Sequence, residues 1–438
     1  MIKLILLASL SLWFLVKFLW KKNSHNSIFW GLCFQWLAIN IKLAYSIVLG
    51  TPLVEIVEFP EYISEANAYS NIGLVTLIMG VHLSIKKIKY VPIKSISWVS
   101  IKSINNVYII YSVLIYFLVP FTYKSGFQQI LNYLVLIKFS LLFVALNQTL
   151  SNKRKSYLAY FIIAFEILLS FTGYFAEFKN YFFVIIFTLI YHYSSNINLK
   201  IILKLSPLLA LVLYLGIAWS SIKMDYRSYL SNEDEIKKEE ISTLESLTKL
   251  KDLMTDFSER EMNEGLKKLI DRISYIDYYS ATINNVPTFE AHTNGKLLLD
   301  ALIFGLQPRI LFPNKAVTDD SKVTEKYTGI YVSGKESGTS ISLGYMASGY
   351  IDFGATFFWA TPLIIGLLLG YSYKLLYKFT SNPIWSLAIT FPYFQIANFY
   401  ENDTLKVVPP ILYFLFICIL FLKYILPFFD RKISSKRY

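Results

Sequence analysis

The chain of 438 residues is 55% hydrophobic and 17% aromatic, with only 16% charged residues and a mean hydropathy of +0.46. A soluble globular protein carries about 25% charge, so a soluble enzyme, a disordered protein and a nucleic-acid-binding domain are all excluded. The net charge of +12 suits the cytoplasmic loops of a polytopic membrane protein, where Lys and Arg accumulate.

Apolar runs of membrane-crossing length recur along the chain and predict about eleven spans. They cover residues 2–20, 27–49, 69–86, 105–123, 130–149, 157–176, 180–195, 200–221, 342–373, 384–400 and 407–428. The first has only Lys3 as a charged start and no small-residue cleavage site before Lys21-Lys22, so it reads as a retained span rather than a signal peptide. One set of connections holds Lys21-Lys22, then Lys86, Lys87, Lys89 and Lys94, then Lys153-Arg154-Lys155. It continues with Lys200, Lys374 and Lys378, and ends in the tail Arg431, Lys432, Lys436 and Arg437. The opposite set holds only Lys124, Lys179 and Lys406. The positive-inside rule therefore predicts an N-terminus outside and a C-terminus in the cytoplasm. The expected organisation is residues 1–221 as spans one to eight, 222–340 as one large extracytoplasmic loop, and 341–438 as the last three spans and a cytoplasmic tail.

The loop holds 20 of the 30 acidic residues and 16 of the 42 basic ones. Ile241, Leu244, Leu247, Leu250, Met254 and Phe257 recur at helical spacing, as do Leu266, Leu269, Ile270 and Ile273. Two amphipathic helices are expected, at about 233–257 and 259–281, as a lid over the outer mouth of a cavity. Ser258 followed by Glu261 fits a capping box that starts the second. Residues 284–340, rich in Gly, Pro, Ser and Thr, are expected to be irregular but packed.

There is no G-x-x-x-x-G-K-[ST], no G-x-G-x-x-G and no H-E-x-x-H. His25, His82, His192 and His292 are scattered singly, and Cys33 and Cys418 lie inside spans, so neither a metal nor a cofactor is expected. The chain has 35 Lys and 7 Arg, and four of the Arg (Arg227, Arg260, Arg272, Arg309) lie in the outer loop, where the positive-inside rule would not recruit them. A guanidinium binds phosphate bidentately, so an outer Arg cluster suits a lipid-linked diphosphate. Salt bridges to acidic neighbours are the competing reading, and the preferred one for Arg260. Lys42, Lys138 and Glu166 fall inside spans, where ionisable groups are costly and functional by default. Glu166 is expected to pair with one of the two lysines if they are structural. Tyr327, Tyr331, Tyr345 and Tyr350 read either as sugar-stacking platforms or as ordinary packing.

The stretch Gln307-Pro308-Arg309-Ile310-Leu311-Phe312-Pro313-Asn314-Lys315 resembles a motif of Wzy-type polymerases, the bacterial enzymes that join oligosaccharide repeat units into O-antigen, capsule or exopolysaccharide. Tyr350-Ile351-Asp352-Phe353-Gly354, followed by Gly366 and Gly370, looks like their "Y-x-N-F-G" entry into the next span, with Asp352 at the Asn position. Many relatives have an acidic residue before this element; here the approach is Met346-Ala347-Ser348. An Arg common after the sixth or seventh span is replaced by Lys179. Related O-antigen ligases use a loop His, which His292 resembles.

The resemblance implies an all-α, GT-C-like polymerase in the bacterial inner membrane. It would transfer glycosyl groups between polyprenyl-diphosphate-linked oligosaccharides on the periplasmic face, without metal or other cofactor. The implied diphosphate ligands are Lys179, Arg227, Arg272, Arg309 and Lys315, and the implied proton acceptors are Glu177, His292 and Asp352. Membrane lipid, a chain-length regulator and a flippase are the implied partners, with no nucleic acid. A lipid-linked oligosaccharide flippase or transporter and an O-antigen ligase are the alternatives.

Overall fold

In hydrocarbon every backbone N–H and C=O has to be bonded within its own segment, so apolar runs of this length become helices. The computed structural model describes residues 1–20, 26–90, 101–122, 127–151, 157–170, 178–193, 199–231, 243–255, 258–308, 311–312, 314–315, 319–332, 340–379 and 383–427. In chain order the helices are α1 (Ile2–Leu19), α2 (Ser27–Leu49), α3 (Ile63–Ile85), α4 (Ile101–Thr122), α5 (Phe127–Ser151), α6 (Tyr157–Ser170), α7 (Phe178–Tyr193), α8 (Leu199–Ser231) and α9 (Thr243–Thr255). They continue with α10 (Glu259–Ile273), α11 (Ile276–Asn285), α12 (Lys296–Leu306), α13 (Asp320–Thr328), α14 (Tyr345–Phe357), α15 (Ala360–Phe379), α16 (Pro383–Thr390), α17 (Tyr393–Ile396) and α18 (Thr404–Leu420). No β-strand occurs among the described residues. Seven helical stretches there are long and apolar enough to cross a membrane: Ile2–Leu19, Ser27–Leu49, Ile63–Ile85, Ile130–Leu150, Ser206–Tyr226, Ala360–Phe379 and Thr404–Ile425. The chain is a helical membrane protein.

Four expected elements differ from the structure, the first being residues 284–340, expected to be irregular, where α12 and α13 form. The span expected at 342–373 is interrupted twice: α14 is kinked at Gly354, which adopts φ 62°, ψ −169°, a region open essentially to Gly alone, and it ends at Phe357 before α15 begins at Ala360. The span expected at 384–400 is the eight-residue α16 and the four-residue α17. The second loop helix, expected to reach residue 281, ends at Ile273, and α11 starts separately at Ile276. The capping box is present: the Ser258 N–H donates to Glu261 Oε2 at 2.6 Å, and the Glu261 N–H donates to Ser258 Oγ at 3.3 Å. The Ser258 N–H first, and then the Ser258 hydroxyl donating to Oε2 at 2.9 Å, hold the Glu261 carboxyl below its ordinary value.

The chain forms two compact units, Met1–Leu141 with Ile273–Tyr438, and Leu142–Arg272. In the first, α3 and α15 lie side by side and close together. A Cβ at Gly80 would stand 2.5 Å from Leu363 O and 2.9 Å from Leu367 N, so only Gly fits. Small residues drive such contacts because lipid supplies no hydrophobic incentive for helices to associate. Hydroxyls exploit the proximity: Thr76 Oγ1 donates to Trp359 O at 3.3 Å and Ser84 Oγ to Leu367 O at 3.1 Å. A buried polar seam joins α1, α2 and α3. Ser11 Oγ donates to Asn71 Oδ1 at 2.7 Å, and Asn71 Nδ2 donates to Asn40 Oδ1 at 3.0 Å.

In the second unit α9 and α10 lie along α8. A Cβ at Gly265 would meet Ile217 O at 2.6 Å, and Tyr226 is fully buried beside Trp219, their ring centroids 5.7 Å apart. An apolar cavity of about 300 Å³ opens among α5, α6 and α7, lined by residues such as Leu146, Thr149, Ile163, Ile167, Thr188 and Leu189. Among the described residues, none of α9 or α10 lines it.

Candidate functional site

At the end of the first unit where α3 and α18 begin, α11–α14 are tied to the membrane helices by polar contacts. The strongest tie is buried. Lys42 Nζ on α2 meets Asp277 Oδ2 on α11 at 2.5 Å, and Asp277 Oδ1 accepts the Glu58 N–H at 3.0 Å. Lys42 is 2% exposed and Asp277 6%. Glu166 was considered as a partner for Lys42 or Lys138; the acid that meets Lys42 is Asp277 on α11. A second tie joins α13 to the start of α18. Lys406 Nζ lies 2.5 Å from Asp320 Oδ2, which also accepts Ser340 Oγ at 2.6 Å. Beside it Asp403 caps α18, its Oδ1 accepting the Lys406 N–H at 3.0 Å. Burial first, and then the charge of Asp320, push the Asp403 carboxyl up to about 6, against the pull of Lys406.

Between these ties the structure brings together two of the sequence-derived candidates, His292 and Asp352. The Thr293 N–H donates to Ile351 O at 3.0 Å, laying the loop before α12 against α14. Asp352 is spent on that junction: its Oδ1 accepts Thr293 Oγ1 at 2.6 Å and the Leu297 N–H at 2.9 Å, and its Oδ2 accepts the Leu298 N–H at 2.9 Å. This is an anionic cap on the first turn of α12, where free N–H groups and the helix dipole favour negative charge. Burial raises the Asp352 carboxyl above its ordinary value, and the three hydrogen bonds pull it back only in part. With its oxygens so engaged, Asp352 fits a structural cap better than a proton acceptor.

His292 is better placed for chemistry. Its Nδ1 lies 3.2 Å from Ile351 O. A ring nitrogen facing a carbonyl is assigned as the donor, so Nε2 is the ring's other nitrogen, the one that can accept. The ring stands over Gly354, where a Cβ would come within 3.1 Å of Nε2. It meets the edge of Tyr350 with centroids 5.7 Å apart. Tyr350 in turn lies near Tyr69 (6.2 Å, nearly parallel) and Tyr279 (6.1 Å). Of the four tyrosines considered as sugar platforms, Tyr327, Tyr345 and Tyr350 are buried and only Tyr331 is open, at 83% exposure. Tyr345 spends its hydroxyl on Gln35 Oε1 at 2.8 Å.

The remaining candidates are dispersed. Lys315, expected at the diphosphate, has its ammonium engaged with protein: it donates to Phe304 O, to Gln307 O at 2.7 Å and to Tyr413 OH at 3.2 Å. Arg272 is exposed in the last turn of α10, in the second unit. Lys179 lies in the first turn of α7, and Arg227 lies four residues before the end of α8. Glu177 and Arg309 lie outside the described residues. Asp277 and Tyr413 were missed in the sequence. The aromatic stretch Tyr275–Tyr279 around Asp277 was the one local signal, and its partner lies 235 residues away.

The fold and this end of the first unit define a helical membrane protein whose shorter helices α11–α14 are bonded to its long apolar ones. Residues 26–375 match the family described as Domain of unknown function (DUF8712), and the chain belongs to that family. No curated protein and no solved structure matches the chain.

Proposed function

We propose that the protein is a repeat-unit polymerase of about eleven spans in a bacterial inner membrane, with its N-terminus in the periplasm and its C-terminus in the cytoplasm. It joins polyprenyl-diphosphate-linked oligosaccharides on the periplasmic face. The observation that carries the glycosyl-transfer part of this reading is the seat of His292. A half-buried loop imidazole has its Nδ1 directed at the Ile351 carbonyl and lies against the Tyr350–Gly354 stretch. In the reaction the acceptor hydroxyl oxygen bonds to the anomeric carbon of the donor, and its proton passes to His292 Nε2. The bond from that carbon to the diphosphate breaks, and the diphosphate leaves with its charge neutralised by arginine. Arg309 is the first choice for that role. The same His supports a second reading, an O-antigen ligase, which differs only in its acceptor.

The test is to incubate the purified protein in vesicles with a defined polyprenyl-diphosphate oligosaccharide. A ladder of chain lengths is expected. No product of any length, with the protein folded, would sink the glycosyltransferase reading, and product only on added lipid A core would favour the ligase. His292→Ala and Arg309→Ala should each lower the rate by about 100-fold or more, as removal of a transition-state partner does.

A further inference from the structure

Helix α12 and the residues after it were expected to be an irregular, packed part of the extracytoplasmic loop, yet they lie against the middle of the long apolar helix α18. Gly305 sits on Pro409 and Leu412 of α18, where a Cβ would be 2.8 Å from Leu412 Cδ1. Tyr413 OH donates to Phe304 O at 2.9 Å and to Gln307 O at 3.2 Å. Tyr413 is the tenth residue of α18, which begins at Thr404. At 1.5 Å per residue it lies about 14 Å below the start of that span. An 11-residue helix is about 16 Å long, about half of a hydrocarbon core of about 30 Å. Both measures put the end of α12 near mid-depth.

The side chains agree. Leu299, Ile303, Leu306, Leu311 and Phe312 are all exposed, Leu306 at 73% and Leu311 at 71%. A contiguous set of large exposed apolar residues marks an interaction surface, and the neighbouring span supplies the identity of what it meets. The single acid of the helix, Asp300, lies four residues from Lys296 near the outer end, a spacing at which opposite charges support each other.

Ending a helix in hydrocarbon leaves carbonyls that water cannot reach. Lys315 answers that need. Its ammonium donates to Phe304 O and Gln307 O and lies 3.1 Å from the Phe304 ring centroid. The negative end of the helix dipole and the ring face both favour a cation there. The turn is closed further by the N–H groups of Leu311 and Phe312, each donating to Pro308 O at 3.0 Å.

We propose that α12 is a re-entrant element whose outward face contacts bilayer hydrocarbon, and that Lys315, together with Tyr413, is the positioning residue that lets the helix end at mid-depth. This holds whichever reaction the protein performs. The test uses the full chain with Cys33 and Cys418 replaced by Ala, in vesicles of phosphatidylethanolamine and phosphatidylglycerol. Nitroxides are placed by Leu306→Cys and Leu311→Cys, with Phe416→Cys on α18 as lipid reference and Glu290→Cys as water reference. Positions 306 and 311 should match 416, open to oxygen and shielded about tenfold from a water-soluble nickel complex. Nickel access like that of position 290 overturns the proposal, and so does shielding from both quenchers, which means protein covers the face. If the cysteine-free chain does not fold, a benzophenone amino acid at 306 in the otherwise native chain replaces the label. Phospholipid adducts are then expected, and their absence overturns the proposal. For Lys315, K315M should raise nickel access at 306 at least fivefold while K315R leaves it low. An unchanged value in K315M removes Lys315 from the role.

Discussion

The ion pair between Lys42 and Asp277 makes a demanding test of how α11 is held against α2. Asp277→Asn keeps the shape and retains an oxygen for the Glu58 N–H, but removes the carboxylate that lies 2.5 Å from the Lys42 ammonium. Lys42→Met keeps the length and removes the cation. Both groups are nearly inaccessible, so neither charge can turn to water when its partner goes. Breaking a buried pair from one side costs about 3–5 kcal/mol, whereas replacing both partners is often neutral. Each single variant should therefore lose about 3–5 kcal/mol, and Lys42→Met/Asp277→Asn should recover most of it. The coupling should be at least about 3 kcal/mol, far above the near-additivity of independent sites. Half-life at raised temperature in detergent is the appropriate measure, since large membrane proteins tend to unfold irreversibly. Because α11 is tied to α2 and to the loop at Glu58 through this pair, protease sensitivity near residues 50–62 should rise with each single variant and fall back in the double. Additive effects, or single variants as durable as wild type, would refute the reasoning.

Asp352→Asn should keep most chain elongation, within about tenfold, because an amide oxygen can still accept from the first turn of α12. Asp352→Ala should cost about 1–2 kcal/mol of stability, the usual loss for a helix cap. A drop of a thousandfold in Asp352→Asn at normal stability would return it to the role of proton acceptor. Asp403 gives a pH dependence of defined sign. Its folded value is raised from 3.8 to about 6, so the folded state holds a proton that the unfolded state has released, and stability falls as pH rises through about 6. The full difference is about 3 kcal/mol. Thermal scans from pH 4 to 7 should show this slope in wild type and not in Asp403→Asn, which keeps the cap; an equal slope in both would exclude Asp403. Gly80→Leu should prevent the close approach of α3 and α15 and abolish folded protein in a detergent gel-filtration assay. A monodisperse, stable variant would contradict the packing.

What the sequence determined by itself is what depends on local composition. The membrane class follows from runs of apolar residues, whose helical form is dictated segment by segment by the need to bond the backbone; α2 begins and ends where the apolar run does, at Ser27 and Leu49. The Ser258–Glu261 box was legible for the same reason, since its partners are three residues apart. Tertiary structure decided the rest. Gly354 breaks a run that hydropathy reads as continuous, because a single φ is invisible to an average over eighteen residues. The carboxylate of Asp352 belongs to the N-terminus of a helix 55 residues earlier, and that of Asp277 to a lysine 235 residues earlier. Helix α12 is too short to register as a span, and only its contacts with Pro409, Leu412 and Tyr413 of α18 bear on its depth. Charges and short helices acquire their roles from what they face, and chain separation carries no information about that.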